Sequence, residues 1–160
     1  MKLLVVVASD TGRTWRMGEA FAEGAREAGA GVTLVRAAEA QPEPVRAADA
    51  LVLGSGVHMG GMESSMRAFC ERLAPLWMQG ALIGKVGAAF ASAGNGGRGG
   101  AELTLISLWA NLAEHGMLLV PMHNRLARYE QATAEGILAQ AKKTITLGSR
   151  VIVRVVPRAS

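Results

Sequence analysis

The stretch KLLVVVASDTGRTWRMGEAF, Lys2 to Phe21, runs from uninterrupted apolar residues through small and hydroxylated ones into helical spacing. A continuous Val/Leu run, rather than an alternating one, predicts a strand covered on both faces, the habit of parallel sheets. Ser9 to Thr14 then form a strand-to-helix turn, where hydroxyls and the free amides of a helix N-terminus can receive an anion. Ordinary helix capping by Ser9, Thr11 and Thr14 is the other reading of the same residues.

Similar apolar runs recur at 31–37, 48–54, 84–92 and 116–122, with helix-length segments between them. Helical stripes are predicted over 14–28 (Trp15, Phe21, Ala25, Ala28), 62–73 (Met62, Met66, Phe69, Leu73) and 102–114 (Leu105, Trp109, Leu112). Trp15 and Trp109 read as core residues. A last helix is expected from about Leu126 to Leu147, and the prolines of EAQPEPVRAAD, 39–49, predict a surface connection without helix or ladder. Strands alternating with helices imply right-handed crossovers and therefore an α/β fold, a three-layer α/β/α sandwich. One domain over 1–148 is expected. The tail 149–160 is strand-like in composition, either an added edge strand or a loose end.

The net charge of +4 arises from 17 basic residues scattered along the chain without an aromatic-studded run, which argues against nucleic acid and suits an anionic coenzyme. A single cysteine, Cys70, excludes an internal disulfide framework and a cysteine-clustered metal site. No apolar run approaches the roughly 20 residues needed to cross a bilayer. MKLLVVVASD lacks a cleavage pattern and reads better as a strand than as a signal peptide. A cytoplasmic protein without membrane insertion is the expectation.

In an open parallel sheet, ligands bind beyond the carboxyl ends of the strands. The segments there are SDTGRT (9–14), GSGVHMGG (54–61) and SAGNGGRGG (92–100), all rich in small residues that let a backbone approach a ligand. The first lacks the G-x-x-x-x-G-K-[ST] pattern of a triphosphate loop, and neither it nor the second carries G-x-G-x-x-G. A phosphate monoester is what remains.

S-D-T-G-R-T resembles the phosphate loop of flavodoxin-like proteins, and the segment from ADALVLGSGVHMGGM through ALIGKVGAAFASAGNGG to LAEHGMLLVP resembles WrbA-type NAD(P)H:quinone oxidoreductases, in that family's motif order, over about residues 2 to 130. The resemblance implies a flavodoxin-like, five-stranded parallel sheet of order 2-1-3-4-5. It implies FMN as cofactor, with Ser9, Asp10, Thr11, Gly12, Arg13 and Thr14 on its phosphate, Val57, His58 and Met59 beside the ribityl chain and ring, and Ser92, Ala93, Gly94, Asn95, Gly96 and Gly97 along the other edge. His115 matches a histidine near the flavin and substrate, where it would act catalytically; its alternative is a helix end favoured by the dipole. Trp77 matches a tryptophan that lines a neighbouring subunit's opening, and Thr11 joins it toward substrate; core packing is the alternative for Trp77. NADH or NADPH would be co-substrate and a quinone the acceptor, in a homodimer or homotetramer. Arg13, Arg98 and Arg125 are candidates for a 2′-phosphate.

The chain departs from the family at Gly56, His58 and Met59, where proline, arginine and phenylalanine are usual, and it lacks a long insertion before the last helix. A flavodoxin-type one-electron carrier is the alternative function. Its ring-stacking aromatics are missing from 54–61 and 92–100.

Overall fold

The computed structural model describes residues 1–94 and 99–120. Its elements are β1 (Lys2–Ala8), α1 (Arg13–Glu27), β2 (Gly31–Arg36), α2 (Pro42–Ala47), β3 (Ala50–His58), β4 (Gly61–Met62), α3 (Ser64–Arg72), α4 (Ala74–Met78), β5 (Val86–Ser92), α5 (Ala101–Glu114) and β6 (Leu118–Leu119). The sheet runs β2-β1-β3-β5-β6 in space, all parallel, with β4 beside β3. Numbered without the small β4, this is the expected order 2-1-3-4-5.

Both faces of the central strands are covered, as their unbroken apolar runs require. Leu4, Val6 and Ala8 of β1 pack with Leu51 and Leu53 of β3 against Val45, Met66, Phe69, Leu76, Leu108 and Leu112 of the helices on one side. Leu3, Val5 and Val7 join Ala50 and Val52 on the other, where Trp15 and Ala25 of α1 pack over them. Each fully buried Val or Leu contributes about 1.5–3 kcal/mol relative to an exposed one, so β1, with Leu3 to Ala8 all buried, anchors the sheet. Val5 lies between Leu34 and Val52.

Several expectations need correction. The connection 39–49 contains α2, with Pro42 at its start; a proline in the first turn forfeits no intrahelical bond, because those amides have no partner anyway. Helix α3 begins only at Ser64, and Met62 belongs to β4. Residues 54–58, expected as loop, continue β3, because Val57 pairs with Met62 and His58 with Gly61 in an antiparallel hairpin. Trp15 is half-buried rather than core, its ring under the Arg36 guanidinium at 4.4 Å and its Nε1–H donating to Glu19 at 2.9 Å. The expected last helix, the tail and the end of the fifth apolar run lie outside the described residues. Among the described residues no helix is long and apolar enough to cross a membrane.

Candidate functional site

The carboxyl edge of the sheet is level across three strands, since Ala8 pairs with Ser55 and Gly56 with Ser92. The chain leaves β1 there and enters α1 through Gly12, whose φ of 80° lies in the left-handed region that favours glycine. No side chain caps α1, which sets aside the capping reading of the turn. Ser9 Oγ is buried without a hydrogen-bond partner among the described residues. A Cβ at Gly12 would meet nothing within 4 Å. An uncapped helix N-terminus, an orphaned hydroxyl and open space beside them fit a phosphate group. Asp10, Thr11 and Arg13 are exposed around the turn, whereas Thr14 is buried, its Oγ1 2.7 Å from Ser92 Oγ. The Thr14 hydroxyl therefore ties the turn to the end of β5.

The second wall is the β3–β4 hairpin. Its two turn residues both have positive φ, 47° at Met59 and 81° at Gly60, as a type I′ turn requires. Met59 is fully exposed at the tip, His58 is exposed and Val57 half-buried. Gly60 also receives the start of α5: a Cβ on Gly100 would stand 2.6 Å from Gly60 Cα, so the hairpin and the α5 N-terminus touch backbone to backbone. Below them Phe90 of β5 fills the space over Gly54, where a Cβ would meet its ring at 2.2 Å. Ser92 and Ala93 are half-buried at the end of β5, and Gly94 is exposed. Asn95, Gly96, Gly97, Arg98 and Arg125 lie outside the described residues.

His115 and Trp77 are not brought to this edge. Helix α5 runs back from Gly100 at the carboxyl edge and ends beside the start of β5, where the Gly84 N–H donates to Gly116 O at 2.9 Å and Leu118 pairs with Val86. His115 is buried there, with Nδ1 unpartnered among the described residues. Burial lowers its pKa from 6.5, against an opposing pull from Glu114, so the neutral ring is favoured at pH 7. Trp77, on α4, is 50% exposed, with Met78 and Ile83 exposed in larger measure, and is not a core residue. Trp109 packs at the rim of the core with its Nε1–H unpartnered among the described residues.

Glu63 escaped the sequence reading. It is buried, its Oε1 accepts from Ser65 Oγ at 2.9 Å, and its backbone N–H donates to Ser55 Oγ at 2.9 Å. It is the only acidic residue between Gly54 and Met66, but a lone charge just before a helix reads as a solvated one. The described residues hold no group of His, Cys, Asp and Glu that could bind a metal ion. Cys70 is buried, and burial pushes its thiol up to about 11, so it stays protonated and inert.

Residues 37–129 match the family described as NADPH-dependent FMN reductase. A protein of Paraburkholderia phymatum named NAD(P)H dehydrogenase (quinone) is 40% identical over 139 residues, 74% of this chain and 69% of its own. One of Brucella ovis with the same name is 39% identical over 142 residues, 76% of this chain and 71% of its own. Among solved structures, a WrbA-like flavodoxin protein of Agrobacterium tumefaciens superposes with a TM-score of 0.61 at 29% identity, covering 74% of this chain and 76% of its own. A flavodoxin from the domain Archaea gives 0.66 at 25% identity, covering 89% and 98%.

Proposed function

Because the chain belongs to the NADPH-dependent FMN reductase family, we propose that it is an oxidoreductase that moves two electrons from NAD(P)H to a quinone with FMN as its resident cofactor. The observation that carries this reading is the uncapped N-terminus of α1 beside the orphaned Ser9 hydroxyl at the carboxyl edge. Bound there, the flavin supplies the two-electron chemistry, and the protein supplies binding, orientation and access.

The chain's own contribution follows from its walls. Ser9, Thr11 and the first amides of α1 hold the phosphate, with Gly12 giving it room, and Asp10 and Arg13 flank it. The Thr14–Ser92 bridge keeps that turn in register with β5. Val57, His58 and Met59 would line the ribityl and ring side, and Ser92, Ala93 and Gly94 would bound the other. No aromatic side chain stands in residues 54–61, which leaves a face for nicotinamide and quinone to use in turn, and ping-pong kinetics are expected.

Trp77 and His115 stand at the amino edge of their own sheet, so we assign Trp77 to the mouth of a neighbouring copy's site in a homodimer or homotetramer, with Met78 and Ile83 in the same contact. His115, neutral and able to donate one ring N–H, would then serve a substrate or flavin carbonyl at that junction. The buried, protonated Cys70 suits a cytoplasmic enzyme.

The deciding experiment is an anaerobic absorbance titration with NADPH, then NADH, of protein loaded with FMN and freed of unbound flavin. Retained flavin that bleaches in one two-electron step and recovers on adding a quinone is the expected result. Retained flavin left oxidised by both nucleotides would favour an electron carrier, and no retained flavin would overturn the reading.

A further inference from the structure

Glu63 forms part of the wall of the cofactor site, yet the reaction outlined above makes no use of it. Its side chain is 10% exposed, and Oε2 has no hydrogen-bond partner among the described residues. A buried polar atom left without a partner costs about 1–3 kcal/mol, more when charged. The Ser65 hydroxyl satisfies Oε1 alone. The group facing Oε2 is His58 Nε2, 3.8 Å away and just beyond hydrogen-bond length. The His58 side chain is 42% exposed, so it has freedom to close that gap.

Gly56 lies beside the approach. A Cβ there would lie 3.3 Å from Thr14 Oγ1, 3.7 Å from His58 Nε2 and 3.8 Å from Glu63 Oε2. Polar atoms from α1, from β3 and from the residue before α3 thus converge on the space that a missing side chain leaves open. Thr14 is the same residue that bridges to Ser92.

We propose that Glu63 is a positioning residue of the cofactor site: its buried carboxyl group captures His58 Nε2 across Gly56 and holds the imidazole as a fixed wall between the phosphate turn and the hairpin. Ordering a mobile side chain before the ligand arrives removes part of the cost of binding. The benefit to the ligand rests on the FMN reading above, whereas the His58–Glu63 contact does not.

The contact is read by proton NMR of the full chain without FMN, through imidazole N–H signals. The chain has three histidines, and His58→Gln identifies the signal that belongs to His58. A half-exposed imidazole N–H bound to a carboxyl oxygen is protected from solvent and visible, and a free one exchanges away. The native protein is expected to show a protected His58 Nε2–H that Glu63→Leu abolishes and Glu63→Gln, which keeps an acceptor oxygen, partly restores. Glu63→Leu should also weaken FMN binding, measured by fluorescence quenching, about tenfold.

Absence of a protected His58 signal in the native protein, or its persistence in Glu63→Leu, would overturn the proposal. Should Glu63→Leu not fold, Glu63→Ala removes both carboxyl oxygens with less steric demand, and a protected His58 signal that persists in it would overturn the proposal equally. A native protein that shows the protected proton but binds no FMN would defeat the flavin reading and leave the side-chain contact standing.

Discussion

The two edges of one sheet are finished in opposite ways. At the amino edge the chain closes on itself. The Gly31 N–H donates to Met1 O and the Asp49 N–H to Lys2 O, each at 2.9 Å, and the Lys2 N–H donates to Asp49 Oδ2 at 2.7 Å. The Lys85 ammonium donates to the Arg46 and Ala48 carbonyls at the end of α2. At the carboxyl edge, groups are left over. The N-termini of α1 and α5 follow left-handed glycines without side-chain caps, and Ser9 Oγ and Glu63 Oε2 lack partners among the described residues. Unsatisfied polarity that a fold tolerates at one end and avoids at the other marks where a ligand completes the structure. The division is not complete: among the described residues His115 Nδ1, buried at the amino edge, and Arg72 Nε and Trp109 Nε1 also lack partners.

Substitutions can break the contrast, beginning with the tightest packing. Gly54→Ala should lower stability by about 3 kcal/mol, because a Cβ there overlaps the Phe90 ring and forces it to shift; urea unfolding measures this, and a loss below about 1 kcal/mol would show that the ring yields more than its close packing suggests. Ser9→Ala should weaken FMN binding by about 1.5–3 kcal/mol, the worth of a hydrogen bond to a charged group. Its unfolding midpoint without flavin should not fall, since Ser9 Oγ has no partner among the described residues to lose. Lys85→Met tests the other edge with the reverse signature: about 1–2 kcal/mol of stability lost with the two carbonyl contacts and no change in FMN affinity.

The smallest effect concerns pH. His115 has its pKa lowered in the folded protein by burial, so between that lowered value and the unfolded value of 6.5 the unfolded chain binds the extra proton. Stability therefore rises with pH through that window and is lost as pH falls below 6.5. His115→Gln should flatten the slope there, measured by denaturant midpoints across the acid range. An unaltered slope would assign it to other groups.

Much of the architecture was legible because β1 and β3 are buried on both faces and so carry unbroken apolar runs, while β5, half-buried along most of its length, keeps a run of small and apolar residues. The turn at Ser9–Thr14 was legible for a related reason: nothing apolar interrupts its small and hydroxylated residues between a strand and a helix. What escaped depends on tertiary pairing. Val57 and His58 extend β3 only because Gly61 and Met62 fold back on them, and a Met–Gly pair is not the Asn–Gly pair that advertises such a turn. Helix α2 hid behind prolines that fall within its first turn. Glu63 reads from sequence as a solvated charge before a helix, and only the meeting of β3, α1 and α3 around Gly56 buries it. The functional placement of Trp77 and His115 came from resemblance, and no local pattern could have told which edge of the sheet they occupy.

The Thr14–Ser92 hydroxyl pair joins residues 78 apart in sequence. A cofactor seated on that turn is therefore linked to the docking of β5, and through β5 to β3 and β1. Its binding energy is released only after parallel pairings of high sequence separation have formed, the slow part of folding for such a topology. Ligand should thus suppress amide hydrogen exchange across β1, β3 and β5 together, as one cooperative unit, rather than in the phosphate turn alone.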